Sequence, residues 1–233
     1  MGIIVGCDQS QEWLLPWWWH HYSTHNAFPV AFVDFGMSER AVAWCDRRGT
    51  YLALPPKICP IKSLSPEEHK RFSPHFEEGV WVYREAVFKK AFACLRAPFA
   101  LSCWIDVDCE IRGPLDPLWT PLQLGMEIAL VREPDGSCYN SGVIAFRRKS
   151  KILSQWANLS RNANNQFLTD QEALSHAIDL HKPSMAELPA TYNWKRSQGP
   201  NNDALILHYA SGYWKDELRK IIYSFQFKGT QED

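Results

Sequence analysis

The sequence lacks the long apolar runs and export signals that would place it in or beyond a membrane. No stretch approaches the ~20 uncharged apolar residues that a membrane-spanning helix requires. The N-terminus, "MGIIVGCDQSQ", has neither the basic and apolar regions nor the cleavage site of a secretory signal. We therefore expect a soluble, cytoplasmic protein.

Paired cysteines and an excess of charge of one sign are also missing. Seven cysteines occur, an odd number, without one CxxC pair. This pattern predicts neither a disulfide framework nor a structural zinc site, as in proteins of a reducing compartment. The 25 basic residues nearly balance the 26 acidic ones. We expect no nucleic-acid partner, and a local site must hold any anionic ligand.

The 233 residues contain no internal repeat and no low-complexity linker, so we expect one domain over 1–233. The runs "GIIVGCD" and "FPVAFVDFG" are typical of strands, and helical patterns follow them at 12–22 and 38–49. This alternation predicts an α/β protein with a parallel sheet, in which ligands bind at the carboxyl ends of the strands.

The rest of the chain continues the alternation after one interruption. Five prolines in residues 55–79 predict a long connecting segment. Helices are expected at 80–95, 151–159 and 169–178, and strands at "MEIALV", "SGVIAFRR" and "DALILHYA".

Two carboxylates, Asp106 and Asp108, end the apolar run of "LSCWIDVDCEIRGPLDPLW". In an ideal strand both would point to one face, where a buried charge without a partner is costly. A Mg²⁺ or Mn²⁺ ion would satisfy both, since these ions prefer oxygen ligands. A D-x-D triplet also arises by chance at solvated strand ends; the apolar run before it and the turn after it favour the metal site.

A histidine far along the chain fits the same site. In "LILHYASGYWK", His208 ends an apolar run and Lys215 follows shortly after. An imidazole beside two carboxylates would favour Mn²⁺ over Mg²⁺, and the lysine would lie against phosphate oxygens. A histidine at a strand end, taken alone, is more often structural.

The aromatic stretch "WWWHH" has a simpler interpretation than ligand binding. On a helix, Trp17, Trp18 and Trp19 cannot all share one face, which favours core packing for one or two of them. His21 and His25 have the i, i+4 spacing of a zinc pair but lack further ligands nearby in sequence.

Five segments in order resemble the GT-A fold glycosyltransferases, most closely glycosyltransferase family 8: "WIDVDCEIRGPLDPLW", "YNSGVIAFRR", "TDQEALSHAI", "LPATYNWKR" and "LHYASGYWK". The start, "IIVGCDQSQEWLLPWWWHHYSTHN", resembles their nucleotide-binding half, so the resemblance spans about residues 3–215. It implies a single-domain GT-A (Rossmann-like) fold with a mixed, mostly parallel central sheet flanked by helices. A nucleotide-binding half would cover 1–108, a sugar and acceptor half 109–215, and a tail or helix 216–233.

The resemblance also implies an activity. Such enzymes use Mn²⁺, or Mg²⁺, to hold the diphosphate of a UDP-sugar and transfer the hexose with retention. By position, Asp106, Asp108 and His208 would be the metal ligands. The acceptor, a carbohydrate, a lipid-linked molecule or a protein, is not identified.

The remaining site residues are carried over in the same way. Asp170 and Gln171 would line the reacting face; in an inverting enzyme Asp170 would be the first candidate for the base. Donor contacts would come from two residues at the end of the first strand, from the "NSG" triplet and from two lysines. These residues are Cys7, Asp8, Asn140, Ser141, Gly142, Lys90 and Lys215. Lys89 or Arg84 are alternatives to Lys90.

The chain departs from the family at its end. His208 is followed by three residues before Gly212 where the family has two, and Lys215 is followed by Asp216 where the family has proline. This departure concerns the phosphate role of Lys215, because the lysine lies in the shifted segment. It also concerns the family 8 assignment, from which retention is inferred.

Two other functions are compatible with parts of the pattern. A haloacid dehalogenase type phosphatase also carries an Asp pair after an apolar strand, but near the start of its core domain, whereas about a hundred residues precede it here. A non-catalytic nucleotide-sugar or carbohydrate-binding protein would keep the same fold. The C-terminal "YWKDELRKIIYSFQFKG" is a candidate for peripheral membrane contact.

Overall fold

The computed structural model describes residues 1–74 and 80–228, to which the following refers. A seven-stranded sheet has the order β3-β2-β1-β4-β7-β6-β8. Strands β3, β2, β1 and β4 are parallel, β7 is antiparallel to β4 and β6, and β8 is parallel to β6. The strands are β1 (Gly2–Cys7), β2 (Val30–Asp34), β3 (Thr50–Ala53), β4 (Leu101–Ile105), β6 (Ile128–Arg132), β7 (Tyr139–Arg147) and β8 (Met185–Glu187). The predicted α/β class with a mixed, mostly parallel sheet is confirmed.

A second, three-stranded sheet has the order β5-β10-β9. It consists of β5 (Cys109–Ile111), β9 (Trp194–Lys195) and β10 (Ile206–His208). Strand β10 runs antiparallel to β5 and places His208 opposite Cys109. The sheet therefore carries the histidine to the end of β4, where the acidic pair lies.

Helices cover both faces of the large sheet because its strands alternate apolar side chains between them. In β1, Ile3 and Val5 join the core beneath α1, α2 and α8, while Ile4 joins the core beneath α4, α6 and α7. The helices are α1 (Leu15–His25), α2 (Glu39–Asp46), α3 (Pro66–Phe72), α4 (Val80–Leu95), α5 (Thr120–Gln123), α6 (Lys151–Asn162), α7 (Asp170–His181) and α8 (Gly212–Lys228).

The connecting segment expected over 55–79 is wrong in part, because α3 lies within it. Ser65 begins this helix with a capping box: its hydroxyl accepts from the Glu68 N–H, and Glu68 accepts from the Ser65 N–H. Strand β3 was also not expected, and residues 75–79 lie outside the described part of the chain.

The first expected helix is divided. A 3₁₀ turn at Glu12–Leu14 leads into α1, and Pro16 lies in its first turn, where a missing N–H costs nothing. Trp18 is fully buried, whereas Trp17 and Trp19 are partly buried against the same core. This agrees with core packing for the tryptophan run.

The C-terminal segment of the described chain is helical from Gly212. Leu218 and Ile222 of α8 join the core, while Tyr213 and Tyr223 are exposed. The last residue of the segment considered for membrane contact, Gly229, and residues 230–233 after it lie outside the described part. Among the described helices, none is both long and apolar enough to cross a bilayer.

Candidate functional site

Two adjoining pockets at the carboxyl end of the large sheet contain all the side chains expected at the site. The larger has a volume of about 730 Å³, and the smaller, of about 90 Å³, extends toward the end of β1. The smaller is lined by Cys7 and Asp8. The larger is lined by the remaining candidates: Lys90, Asp106, Asp108, Asn140, Ser141, Gly142, Asp170, Gln171, His208 and Lys215.

The acidic pair lies on a turn, not on the strand itself. Strand β4 ends at Ile105, and the Cys109 N–H donates to the Asp106 carbonyl at 3.1 Å. The turn directs both carboxylates at one imidazole: Nε2 of His208 lies 3.3 Å from Oδ1 of Asp108 and 3.7 Å from Oδ2 of Asp106. The expected convergence of the three side chains is present, although strand alternation does not produce it.

Cys109 is a fourth potential ligand in this region. Ligand atoms of Asp108, Cys109 and His208 lie within 4.8 Å of one another in the described part of the chain. Burial, with the neighbouring Asp108 and Asp106 carboxylates, raises the pKa of the Cys109 thiol well above its usual value. A protonated thiol is a poor ligand for an ion that prefers oxygen, so Asp106 is the better third ligand.

Lys90 of α4 holds the acidic groups together. Its Nζ lies 2.9 Å from Oδ1 of Asp106 and 3.4 Å from Oδ2 of Asp170, and it donates to the Ser141 carbonyl at 3.2 Å. Burial alone would lower the pKa of Lys90, but the Asp106 and Asp170 carboxylates outweigh it and raise the pKa above its usual value. The ammonium is therefore charged at every physiological pH.

Lys89 and Arg84, the alternatives to Lys90, have partners of their own. Lys89 donates to the Phe35 carbonyl at 3.1 Å and pairs with Glu85 at 2.8 Å. Arg84 is buried and donates to the backbone carbonyls of Asn164 and Phe167.

Lys215, from the first turn of α8, contacts the second aspartate. Its Nζ lies 3.2 Å from Oδ2 of Asp108. Burial would raise the pKa of Asp108, but the Lys215 ammonium and the neighbouring His208 ring outweigh it and hold the pKa well below its usual value. Asp108 is therefore ionised and ready to bind a cation.

Asp170 begins α7 and is in a different environment. Burial, the largest effect, and the Asp106 carboxylate raise its pKa, while Lys90 acts against them. Among the described residues, Oδ2 of Asp170 has an ion pair with Lys90 at 3.4 Å but no hydrogen bond. Asp170 lines the larger pocket, with Lys90 as its charged partner.

Gly142 makes room for the histidine. A Cβ atom at this position would lie 2.4 Å from Cε1 and 2.6 Å from Nδ1 of His208. Carbon atoms in contact are normally about 3.5–4.0 Å apart, so only glycine allows the imidazole its position. The resemblance put Gly142 beside the sugar, and the geometry adds packing against a candidate metal ligand.

The smaller pocket is shaped by an aromatic wall. Phe35 and Trp104 stack with ring centroids 6.0 Å apart, and the Trp104 indole N–H donates to Oδ1 of Asp106 at 2.6 Å. At the end of β1, Oδ1 of Asp8 accepts from the Ser10 N–H at 2.9 Å. Burial, with Cys45 and Asp8 nearby, raises the pKa of the Cys7 thiol well above its usual value, so it acts as a small neutral wall.

Sequence reasoning missed three polar residues behind the larger pocket. Glu133 is buried and pairs with Lys195, whose Nζ lies 2.6 Å from Oε2 of Glu133. Its other oxygen, Oε1, accepts from the amides of Asn140 at 2.7 Å and Gln171 at 3.0 Å. Asn193 lies 2.9 Å from the His208 ring. Asn193 and Lys195 belong to "LPATYNWKR", but nothing in their spacing pairs them with residues 50 or more positions away.

The donor set suits a hard divalent cation. The two carboxylates and the imidazole supply two oxygens and one nitrogen, typical of Mn²⁺ or Mg²⁺ with water and phosphate completing the shell. Three carboxylates, Asp106, Asp108 and Asp170, meet two ammonium groups, Lys90 and Lys215, which leaves one net negative charge. A bound divalent ion would reverse that sign and allow an anionic ligand to bind.

Comparison with known proteins identifies relatives of the fold. No protein-family model matches the sequence, and no curated protein matches it. The structure is similar to galactosyltransferase LgtC solved with donor and acceptor sugar analogs, with a TM-score of 0.60 and 15% identity over 91% of this chain and 88% of that one.

Two further glycosyltransferases share the architecture. GlyE of Streptococcus pneumoniae TIGR4 has a TM-score of 0.63 and 16% identity, over 91% of this chain and 55% of its own. Mouse xyloside xylosyltransferase 1 has a TM-score of 0.54 and 13% identity, over 89% and 96%. The chain has the GT-A fold of these nucleotide-sugar transferases.

Proposed function

We propose that this protein is a metal-dependent glycosyltransferase that moves a hexose from a UDP-sugar to an acceptor, with retention as in family 8. One observation carries the proposal. Two aspartates, a histidine and two lysines from four separate parts of the chain converge on one pocket of a GT-A fold, around a position suited to a divalent cation.

The proposed metal ligands are Asp106, Asp108 and His208. A bound Mn²⁺ or Mg²⁺ ion supplies a Lewis acid that neutralises charge developing on the diphosphate leaving group. The chain supports this site from both sides, since Lys90 holds Asp106 and Lys215 lies against Asp108. We assign Lys215 to the diphosphate, because its ammonium lines both pockets and the metal would compete with it for Asp108.

The smaller pocket is the proposed site of uracil and ribose. Cys7 and Asp8 line it at the end of β1, and the stacked Phe35 ring forms its wall. The Asp8 carboxylate, fixed by Ser10, can accept a hydrogen bond from a base or ribose donor.

The sugar would occupy the larger pocket near the "NSG" residues and the start of α7. Asp170 lines this pocket and would contact a sugar hydroxyl through its carboxylate, and Gln171 is held by the Ser141 N–H, which donates to Oε1 of Gln171 at 3.3 Å. In a retaining reaction these two residues orient and stabilise the donor, while the departing phosphate takes the acceptor proton. Orientation of both substrates adds to the electrostatic stabilisation of the leaving group at the metal site.

The acceptor would enter at the open side of the larger pocket. Tyr213 lines that side with 67% of its surface exposed, and its ring offers a stacking surface to a sugar. Whether the acceptor is a carbohydrate, a lipid-linked molecule or a protein is a matter for screening, and α8 with its following residues is the proposed membrane contact for a lipid-linked acceptor.

Release of UDP from a panel of UDP-sugars tests the proposal. With Mn²⁺, we expect slow hydrolysis of at least one of UDP-glucose, UDP-galactose and UDP-N-acetylglucosamine, lost in Asp108→Asn. Asp179→Asn is the matched control, since Asp179 is an exposed carboxylate of α7 that pairs with Lys182. Binding of UDP without turnover of any donor or acceptor would favour a non-catalytic binding protein instead.

A further inference from the structure

A chain of side-chain hydrogen bonds leads from Glu133, behind the larger pocket, to His208 inside it. Oε1 of Glu133 accepts from Nδ2 of Asn140 at 2.7 Å. Oδ1 of Asn140 accepts from Nδ2 of Asn193 at 2.6 Å. Oδ1 of Asn193 lies 2.9 Å from Nδ1 of His208. Glu133, Asn140, Asn193 and His208 are all buried, so water does not compete for these bonds.

The chain has only one consistent direction. An ionised carboxylate accepts and does not donate, so Glu133 requires the NH₂ group of Asn140. The Gly142 backbone N–H, 2.7 Å from Oδ1 of Asn140, requires an oxygen there independently. Asn193 must then donate its NH₂ group to Asn140 and turn its oxygen to the imidazole. His208 therefore carries a proton on Nδ1.

This direction decides which ring nitrogen is available to a cation. Nε2 of His208 faces Asp108 at 3.3 Å and Asp106 at 3.7 Å. Without a metal these carboxylates favour a proton on Nε2, because they are acceptors. Within the neutral ring, an acceptor on the opposite side, at Nδ1, favours the Nδ1–H tautomer over the Nε2–H tautomer, and only the former leaves a lone pair on Nε2 for a cation.

We propose that Asn193, anchored through Asn140 to Glu133, is a positioning residue that fixes His208 in the Nδ1–H tautomer and so leaves Nε2 free to bind the metal. The proposal rests on the metal site of the proposed function. Asn193 touches neither the cation position nor the proposed substrate; it acts through the imidazole.

The Glu133 anchor also serves the opposite wall of the pocket. Its Oε1 accepts from Nε2 of Gln171 at 3.0 Å as well as from Asn140, and Lys195 balances its charge at 2.6 Å. The buried Glu133 carboxylate thus fixes two amide orientations. One is that of Gln171, the candidate beside the sugar, and the other is that of Asn140, which is linked through Asn193 to His208.

¹⁵N NMR of the metal-free protein labelled at histidine tests the tautomer directly, since it separates the imidazolium from the two neutral forms. We expect the neutral His208 of the wild type to be Nδ1–H. In Asn193→Leu, which keeps the side-chain size and removes the acceptor, the Nε2–H form should dominate. Asn193→Asp loses the donation to Oδ1 of Asn140 but keeps an acceptor at Nδ1, so the proton should stay on Nδ1. Trp194→Phe removes the bond from the Trp194 indole to the Gly199 carbonyl and part of a ring packed on the core; it leaves the acceptor at Nδ1 in place, so as the control it should match the wild-type tautomer.

Mn²⁺ titration followed by electron paramagnetic resonance gives the consequence for the metal. Loss of such an outer partner typically weakens metal binding about 10–100-fold, which we expect for Asn193→Leu, with Asn193→Asp and Trp194→Phe close to the wild type. A wild-type protein with Nε2–H overturns the proposal without any variant, as does an unchanged tautomer in Asn193→Leu. A wild type that holds Nδ1–H but binds no Mn²⁺ would refute the metal site and leave the role of Asn193 in the tautomer standing.

Discussion

Replacement of Gly142 by alanine is the change whose effect the geometry defines most sharply. The new Cβ would lie 2.4 Å from Cε1 and 2.6 Å from Nδ1 of His208. Gly142 lies within β7 and its backbone is not in the left-handed region, so the added methyl group and not the backbone causes the effect. A contact at about 3.5 Å requires the ring to move by roughly 1 Å.

The ring is held at both of its nitrogen atoms. His208 is buried, Asn193 holds Nδ1 at 2.9 Å, and Asp108 lies 3.3 Å from Nε2. Overpacking in such a place costs about 1–3 kcal/mol of folding free energy. A displaced ligand should also weaken Mn²⁺ binding by about the 10–100-fold seen when the orientation of a metal-bound histidine is disturbed.

Chemical denaturation and Mn²⁺ titration of Gly142→Ala measure both effects, with Gly212→Ala as the matched control. Gly212 lines the same pocket, but a Cβ there would meet no atom within 4 Å. The control should keep the wild-type stability and Mn²⁺ affinity. Wild-type Mn²⁺ affinity in a folded Gly142→Ala protein would refute the placement of His208 against β7 and its role as a ligand.

Three further predictions concern charge and the C-terminus. Burial raises the pKa of Asp170 in the folded protein. Below the unfolded pKa of about 3.9 the carboxyl is protonated in both states and the folded protein keeps its full stability; as pH rises through the folded pKa, the buried group ionises and that stability is lost. Asp170→Asn should therefore stabilise the protein at neutral pH, and the difference should shrink on acidification, while UDP-sugar hydrolysis falls; equal melting temperatures at pH 7 would contradict this. Lys90→Met leaves the Asp106 and Asp170 carboxylates without their cation and should cost about 3–5 kcal/mol in urea unfolding, against no measurable loss in Lys182→Met, whose surface ion pair is exposed. Deletion of the residues after Ser224 should lower sedimentation with anionic liposomes, and unchanged binding would exclude membrane contact through that segment.

The sequence predicted the large sheet because its strands have strong local signals. The apolar runs that became β1, β2, β4 and β7 are buried on both faces, and such runs stand out without knowledge of their partners. The rule that ligands bind at the carboxyl ends of parallel strands then gave the edge of the sheet at which to expect the site, and the resemblance added Asp8 to the candidates there. Strand β3 was missed because its four residues are exposed or half-buried and show no such run.

The helix α3 was missed although its signal is present in the sequence. Ser65, Pro66 and Glu68 form the start signature of a helix, but the surrounding prolines suggested an irregular connection. The capping box identifies the helix start from local sequence alone.

The site was predictable where side chains follow strands and unpredictable where they meet through loops. Asp106, Asp108 and His208 each end an apolar run, which marks them as candidates. Glu133 lies in a turn and Asn193 after a short 3₁₀ segment, and neither has a neighbour in sequence that reveals its partner. Their roles depend on hydrogen bonds across 53 and 15 positions, from Asn193 to Asn140 and to His208.

Calorimetric binding of UDP with and without Mn²⁺, for the wild type and Asp108→Asn, tests the central claim most directly. Metal-dependent UDP binding in the wild type that is lost in Asp108→Asn is the result we predict, because Asp108 is ionised and faces His208 across the proposed cation position. Asp179→Asn should bind as the wild type does. If UDP does not bind to the wild type with either Mn²⁺ or Mg²⁺, or binds equally well to Asp108→Asn, the assignment of this pocket to a metal-bound nucleotide-sugar is contradicted.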